Sequence, residues 1–217
     1  MTPEQKRLYN ELKKDNLAWV NEQQLDQISS QQAVVKSMRL HQIACGCTKS
    51  DTGEEVRIPN NRLKELMEIL EETDGKVIIW ANYRPNIKEI YEAIVEVYGK
   101  NAVVHYYGDT SNEDREEAKV RMQTDPTCRF FVGNTQTGGY GITLTESNTT
   151  IYYSNNYDLE KRLQSEDRNH RIGQTKPVTY IDLMVPGTVD MKIVRALRDK
   201  INIAGAILDD GPKEWLI

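Results

Sequence analysis

Short apolar segments alternate with amphipathic segments from about residue 59 to residue 203, and this alternation limits the fold more than any other feature. Apolar residues at 63, 66, 67 and 70 recur at helical spacing, and residues 77–81 follow as a strand-like run. The pattern repeats, which predicts further strands near residues 102–107, 129–133, 150–154 and 178–185. Strands separated by helices form parallel sheets, so the sequence predicts an α/β fold with helices on both faces of the sheet.

The first 58 residues differ from this pattern. Up to about Ala44 they are polar and rich in glutamine, which favours helices, and Gly46, Gly53 and Pro59 then predict a surface loop or short hairpin. We therefore predict a helical lead-in and loop (1–58), an α/β domain (59–203) and a C-terminal tail (204–217).

Composition narrows the class of protein. The net charge of −5 counts against a protein that coats DNA, although it leaves room for a local basic face. The three cysteines and the polar first residues favour a reducing compartment inside the cell. We expect a cytoplasmic protein if the source is bacterial or viral, and a nuclear one if it is eukaryotic. A membrane partner is not expected.

Residues 158–174 carry a candidate anion site. On a helix capped by Asp158 and reaching about Ile172, the side chains of Gln164, Arg168 and Arg171 would lie within roughly 60° of one another. One guanidinium group can donate two parallel hydrogen bonds to two oxygens of a phosphate. A solvated helix face, with the arginines paired to Glu166 or Asp167, explains the same pattern.

A second candidate segment follows the strand near residue 130. Thr135 and Thr137 lead into a glycine cluster formed by Gly138, Gly139 and Gly141. Glycines let backbone N–H groups approach a phosphate closely. A tight structural turn accounts for the glycines equally well.

Taken together, the two segments resemble a known family. The order T-x-T-G-G-x-G, strand, Q-x-x-x-R-x-x-R-I-G-Q resembles motifs V and VI of superfamily-2 helicases, and its R-I-G-Q ending is similar to the Swi/Snf-type branch. Residues 77–83 resemble motif IV, and residues 105–123 resemble the family's G-x-T segment. The resemblance implies the C-terminal RecA-like lobe of such an ATPase.

The resemblance also implies roles for individual residues. Arg168 and Arg171 would be arginine fingers on the γ-phosphate of ATP, and Gln164 would help to position them. Gly139 and Gly141 would sense the nucleotide. The implied contacts with the nucleic-acid backbone are Asn82, Tyr83, Gly108, Thr110, Thr135, Thr137 and Gly138. Gln136 stands where the family usually has a basic residue.

Two motifs of the complete motor are absent from the sequence. There is no G-x-x-x-x-G-K-[ST] and no Asp-Glu dipeptide, so the phosphate-binding loop and the Mg²⁺ ligand are missing. We expect ATP and Mg²⁺ to bind only in a two-lobed parent protein, with an N-terminal RecA-like lobe and duplex DNA as partners. The alternative is a non-catalytic RecA-like module that binds DNA or a protein.

His41, Cys45 and Cys47 form the pattern H-x-x-x-C-x-C. Zinc usually takes four protein ligands in structural sites, and the neighbouring sequence offers no fourth. No metal site is therefore predicted.

Overall fold

The computed structural model describes residues 1–22, 30–50, 52–138 and 142–198. Contacts within the chain divide it into two compact units. Unit 1 comprises Met1–Arg62 and Met184–Ile217, and unit 2 comprises Leu63–Leu183. The boundaries that the sequence suggested after residues 58 and 203 stay predictions.

Both units contain helices and strands, and the two alternate along unit 2. The helices are α1 (Pro3–Glu22), α2 (Ser30–Ala44), α3 (Arg62–Glu72), α4 (Arg84–Tyr98), α5 (Asn112–Thr124), α6 (Thr135–Gly138), α7 (Leu159–Glu166) and α8 (Val189–Arg198). The strands are β1 (Cys47–Lys49), β2 (Glu55–Arg57), β3 (Lys76–Trp80), β4 (Val103–Tyr106), β5 (Phe130–Gly133), β6 (Ser147–Tyr152) and β7 (Thr179–Asp182). No helix among the described residues is long and apolar enough to cross a bilayer.

Unit 2 is built on a parallel sheet in the order β4-β5-β3-β6-β7. The central strand β3 is apolar along almost its whole length, as expected for a strand that is covered on both faces. Leu66 of α3 and Ile90 of α4 are buried on one face, and Met122 of α5 is buried with Trp80 on the other. This confirms the predicted fold class.

Local signals placed most elements correctly. Ser111 caps α5, since its Oγ accepts the backbone N–H of Asp114 at 3.1 Å. The breaker cluster after Ala44 contains the antiparallel hairpin β1-β2. The predicted end of the last helix at Ile203 and the tail 204–217 lie outside the described residues.

Unit 1 contains a buried polar cluster that joins α2 to α8. The carboxylate of Asp190, at the start of α8, pairs with His41 of α2 and with Arg62. Burial opposes the charge on Asp190, but Arg62 and His41 lower its pKa to about 2. The hydroxyl of Tyr9 accepts the N–H of Val189 at 3.0 Å. Specific polar contacts therefore join α8 to α1, α2 and Arg62 within this unit.

Candidate functional site

The carboxyl ends of three neighbouring strands gather the residues that the resemblance assigned to nucleic acid. Asn82 and Tyr83 follow β3, Gly108 and Thr110 follow β4, and Thr135 follows β5. Because these strands are parallel and adjacent, they end at the same edge of the sheet. The fold thus brings three separate stretches of sequence to one edge, which we call the strand-end edge.

Asn134 joins the loops of this edge. Its backbone N–H donates to the carbonyl of Tyr106 at 3.2 Å, and its Nδ2 donates to the carbonyl of Asn82 at 2.8 Å. Its Oδ1 accepts the N–H of Gln136 at 2.7 Å and so caps α6. The sequence analysis missed this residue, although an asparagine directly before a helix is a recognisable capping signal.

Thr110 shapes the loop after β4 from within. Its side chain is buried, and its Oγ1 accepts the N–H of Tyr107 at 3.1 Å and lies 3.1 Å from Nδ1 of His105. Burial lowers the pKa of His105. Gly108 is exposed beside Thr110, and a Cβ there would lie 3.3 Å from Nη2 of Arg84. The loop thus presents its own backbone to solvent at Gly108.

The segment after β5 has one buried and one half-buried threonine. Thr135 is buried, and its Oγ1 accepts a hydrogen bond from Nδ2 of Asn156 at 3.2 Å. Thr137 is half-buried, and Gly138 ends α6. Gly139 and Gly141 lie outside the described residues, so their nucleotide-sensing role stays a prediction.

The segment carrying the arginines is not the long helix that its spacing suggested. Asp158 does cap α7, because its Oδ1 accepts the N–H of Lys161 at 3.2 Å. The helix nevertheless ends at Glu166, and the prediction that it reaches Ile172 is wrong. Arg168 and Arg171 therefore lie in a turn beyond α7, which we call the 167–174 turn.

Long-range hydrogen bonds explain this early end. The backbone carbonyl of Arg168 accepts the N–H of Leu144 at 2.8 Å. The buried Asn169 donates to Oγ1 of Thr150 at 2.9 Å. Helical spacing contains no information about such partners, which are more than ten residues away in sequence. They bind the turn to the segment after the glycine cluster and to β6.

The two arginines of the turn contact consecutive residues of that segment. Nη1 of Arg168 donates to the carbonyl of Ile142 at 3.4 Å, and Nη1 of Arg171 donates to Oγ1 of Thr143 at 3.1 Å. Arg168 is half-buried, whereas Arg171 is exposed. The structure thus brings the motif V and motif VI segments together.

Gln164 remains on α7, and its described hydrogen bond goes elsewhere. Its Nε2 donates to Oε1 of Glu160 at 2.9 Å, one turn earlier on the helix. Glu166, one of the carboxylates that could have paired with the arginines of the turn, instead pairs with Arg162 at 2.6 Å. This ion pair joins successive turns of α7 and occupies the carboxylate of Glu166.

Comparison with known proteins identifies the family. Residues 60–173 match the helicase conserved C-terminal domain. The chain belongs to this family. The motif V segment and all of the motif VI segment except its last residue, Gln174, fall within the matched residues.

The curated relatives of the chain include a helicase and a chromatin-remodeling ATPase. It is 39% identical to the lymphoid-specific helicase of Homo sapiens over 101 residues, which is 46% of this chain and 12% of that protein. It is 31% identical to the chromatin-remodeling ATPase INO80 of Mycosarcoma maydis over 147 residues, 68% of this chain and 8% of the relative. The chain thus spans only a small part of each relative's length.

Solved structures confirm the fold. The SWI2/SNF2 ATPase core of Sulfolobus solfataricus in complex with dsDNA has a TM-score of 0.70 and 26% identity, over 98% of this chain and 45% of that one. The C-terminal domain of the same ATPase has a TM-score of 0.65 and 22% identity, over 92% and 82% of the two chains. This chain is therefore a RecA-like C-terminal lobe of the Swi/Snf type.

Proposed function

We propose that this chain is the second motor lobe of an ATP-dependent DNA translocase. In that arrangement a P-loop lobe holds ATP and Mg²⁺, and this lobe completes the site with Arg168 and Arg171. The observation that carries the proposal is the position of Arg171, which is exposed in the 167–174 turn and borders the segment that follows the glycine cluster.

The chemistry of phosphoryl transfer suits this division of labour. Negative charge spreads over the oxygens of the transferred phosphoryl group in the transition state, and a guanidinium placed there stabilises it. Arg168 donates a hydrogen bond to the carbonyl of Ile142. It would keep the 167–174 turn in place and would also contact the phosphate. Gln164, at the last turn of α7, would position the arginines through the end of the helix rather than by direct contact.

The strand-end edge would hold DNA by its phosphates. Such contacts carry no sequence information, so binding would be independent of sequence. One described cation at this edge, Arg84, is already paired with Asp109 at 3.0 Å. With a net charge of −5, the isolated chain should bind duplex DNA weakly and with a strong dependence on salt. The Sulfolobus relative in complex with dsDNA supports duplex DNA as the substrate.

ATP turnover tests the proposal directly. The purified chain should release no phosphate from ATP above a heat-inactivated control, with or without duplex DNA. Adding the P-loop lobe, encoded in the same reading frame or in a neighbouring one, should produce DNA-stimulated hydrolysis. Hydrolysis by the chain alone would contradict the division of labour. Absence of any P-loop lobe encoded nearby would instead favour a non-catalytic module.

A further inference from the structure

Three side chains of metal-ligand type meet inside unit 1, away from the candidate functional site. His41 lies in the last turn of α2 and Cys45 directly follows the helix; the N–H of Cys45 still donates to the carbonyl of His41 at 2.9 Å, which keeps both side chains on the same face. Asp190 reaches them from the first turn of α8. All three residues are buried, and their ligand atoms lie within 4.8 Å of one another. Asp190 thus adds a third ligand atom from a distant part of the sequence to those of His41 and Cys45.

Two of the three distances between the ligand atoms lie near the edge lengths of a zinc tetrahedron, and the third does not exceed 4.8 Å. Nε2 of His41 lies 3.5 Å from Sγ of Cys45 and 3.0 Å from Oδ1 of Asp190. With zinc–sulfur bonds of about 2.3 Å and zinc–nitrogen or zinc–oxygen bonds of about 2.0–2.1 Å, tetrahedral ligand atoms lie about 3.3–3.6 Å apart. Small shifts would therefore accommodate a zinc ion at the centre.

The sulfur and the carboxylate oxygen converge on the same nitrogen of the imidazole ring. This nitrogen carries at most one N–H, which lies in the plane of the ring and can point well at only one of the two atoms. Cys45 and Asp190 therefore direct two electron-rich atoms, Sγ and Oδ1, at one ring nitrogen of His41, an arrangement that a divalent cation between the three atoms would satisfy.

The other oxygen of Asp190 is held by separate partners. Oδ2 accepts the N–H of Val185 at 2.9 Å and also a hydrogen bond from the guanidinium of Arg62. Carboxylates that bind metals are commonly oriented in this way by outer hydrogen bonds. Asp190 therefore presents Oδ1 to His41 and Cys45 in a fixed direction.

We propose that His41, Cys45 and Asp190 bind a zinc ion, with a water molecule as the fourth ligand in place of the fourth protein side chain of a usual structural site. Thiolate, imidazole and carboxylate are together a ligand set that zinc accepts. The ion would tie α2 to α8 and so would link the stretches of chain that precede and follow the sheet of unit 2. Since such a site forms only when these helices pack, binding would stabilise the fold of unit 1.

Metal analysis of the full chain tests this proposal. The protein is produced in zinc-supplemented medium, purified without a histidine tag or chelator, and assayed by mass spectrometry. We expect about one zinc ion per chain, and a melting temperature that a strong chelator lowers by about 5 °C or more and that added zinc restores. Cys45→Ser and His41→Gln should lose the metal. The matched controls Cys47→Ser and Cys128→Ser, which also alter buried cysteines, should keep it.

Cobalt substitution covers the case in which the Cys45 variant does not fold. Cobalt bound to the wild-type chain should show the absorption of thiolate-to-metal charge transfer, and Cys47→Ser should retain that band. Three results would overturn the proposal: zinc-free protein whose melting is insensitive to zinc and chelator, a cobalt complex without the thiolate band, or metal retained in Cys45→Ser. The first of these would identify the cluster as a hydrogen-bonded imidazolium–carboxylate pair.

Discussion

Arg162 and Arg171 lie on adjoining segments of the chain, yet their surroundings differ. The guanidinium of Arg162, on α7, lies 3.4 Å from the ring centroid of Tyr152 and donates to Asp182 at 2.5 Å. It also pairs with Glu166 at 2.6 Å. Arg171, in the 167–174 turn, is exposed, and its side chain makes one described hydrogen bond, to Thr143.

This difference separates a structural arginine from one that is available to a ligand. The partners of Arg162 belong to α7, β6 and β7, so its charge is compensated within the lobe. Burial raises the pKa of Tyr152 beneath it, which keeps that hydroxyl protonated in its 2.7 Å hydrogen bond with Ser165. Arg171 has a charge that faces solvent, where a phosphate of a second lobe's nucleotide could meet it.

The largest expected change in stability comes from Arg162→Ala. It leaves Asp182 buried without its cation, and breaking a buried ion pair typically costs about 3–5 kcal/mol. Chemical denaturation of the chain should show a loss of this size. Lys161→Ala is the matched control on the same helix, because Lys161 pairs with Asp158 at 3.2 Å on the surface. That variant should lose less than about 1 kcal/mol, and equal losses in the two variants would remove the distinction.

Arg168→Ala should give a smaller and mixed effect. The variant loses the long hydrogen bond to Ile142 but keeps the backbone bond to Leu144, so we expect a loss of about 1 kcal/mol, or roughly 2–4 °C in melting temperature. In the two-lobed protein the same variant should also lower ATP turnover by about 10²-fold or more. Turnover that falls only in proportion to the folded fraction would assign Arg168 to structure alone.

Patterns that repeat within a short window were sufficient to predict the fold. The apolar run of β3, the helical spacing of α3 and the cap at Ser111 depend on neighbours in sequence, and the structure confirms each of them. The end of α7 was mispredicted because distant partners, such as Thr150 for Asn169, decide it. The same limit hid Asp190 from the analysis of His41 and Cys45, since α8 supplies it from the far end of the chain.

The position and the exposure of Arg171 could be predicted from its motif, but the partner of its side chain could not. The spacing in motif VI suggested an arginine near a phosphate. A solvated helix face, with the arginine paired to Glu166, explained the same sequence pattern. Only the fold shows that Glu166 is paired with Arg162 and that Arg171 contacts Thr143. Side-chain partners across elements, rather than composition, therefore distinguish the two arginines.

ATP turnover and melting temperature of Arg171→Ala, measured together, test the division between the lobes most directly. In the two-lobed protein, turnover should fall by at least about 10²-fold, because a charged donor to the transition state contributes a few kcal/mol. The melting temperature of this chain should stay within about 1–2 °C of the wild type, since an exposed side chain with one described hydrogen bond is lost. Arg171→Lys should restore turnover only in part, because an ammonium group lacks the planar fork of donors. A clear drop in melting temperature with turnover that follows the folded fraction would contradict the role of Arg171 as an arginine finger.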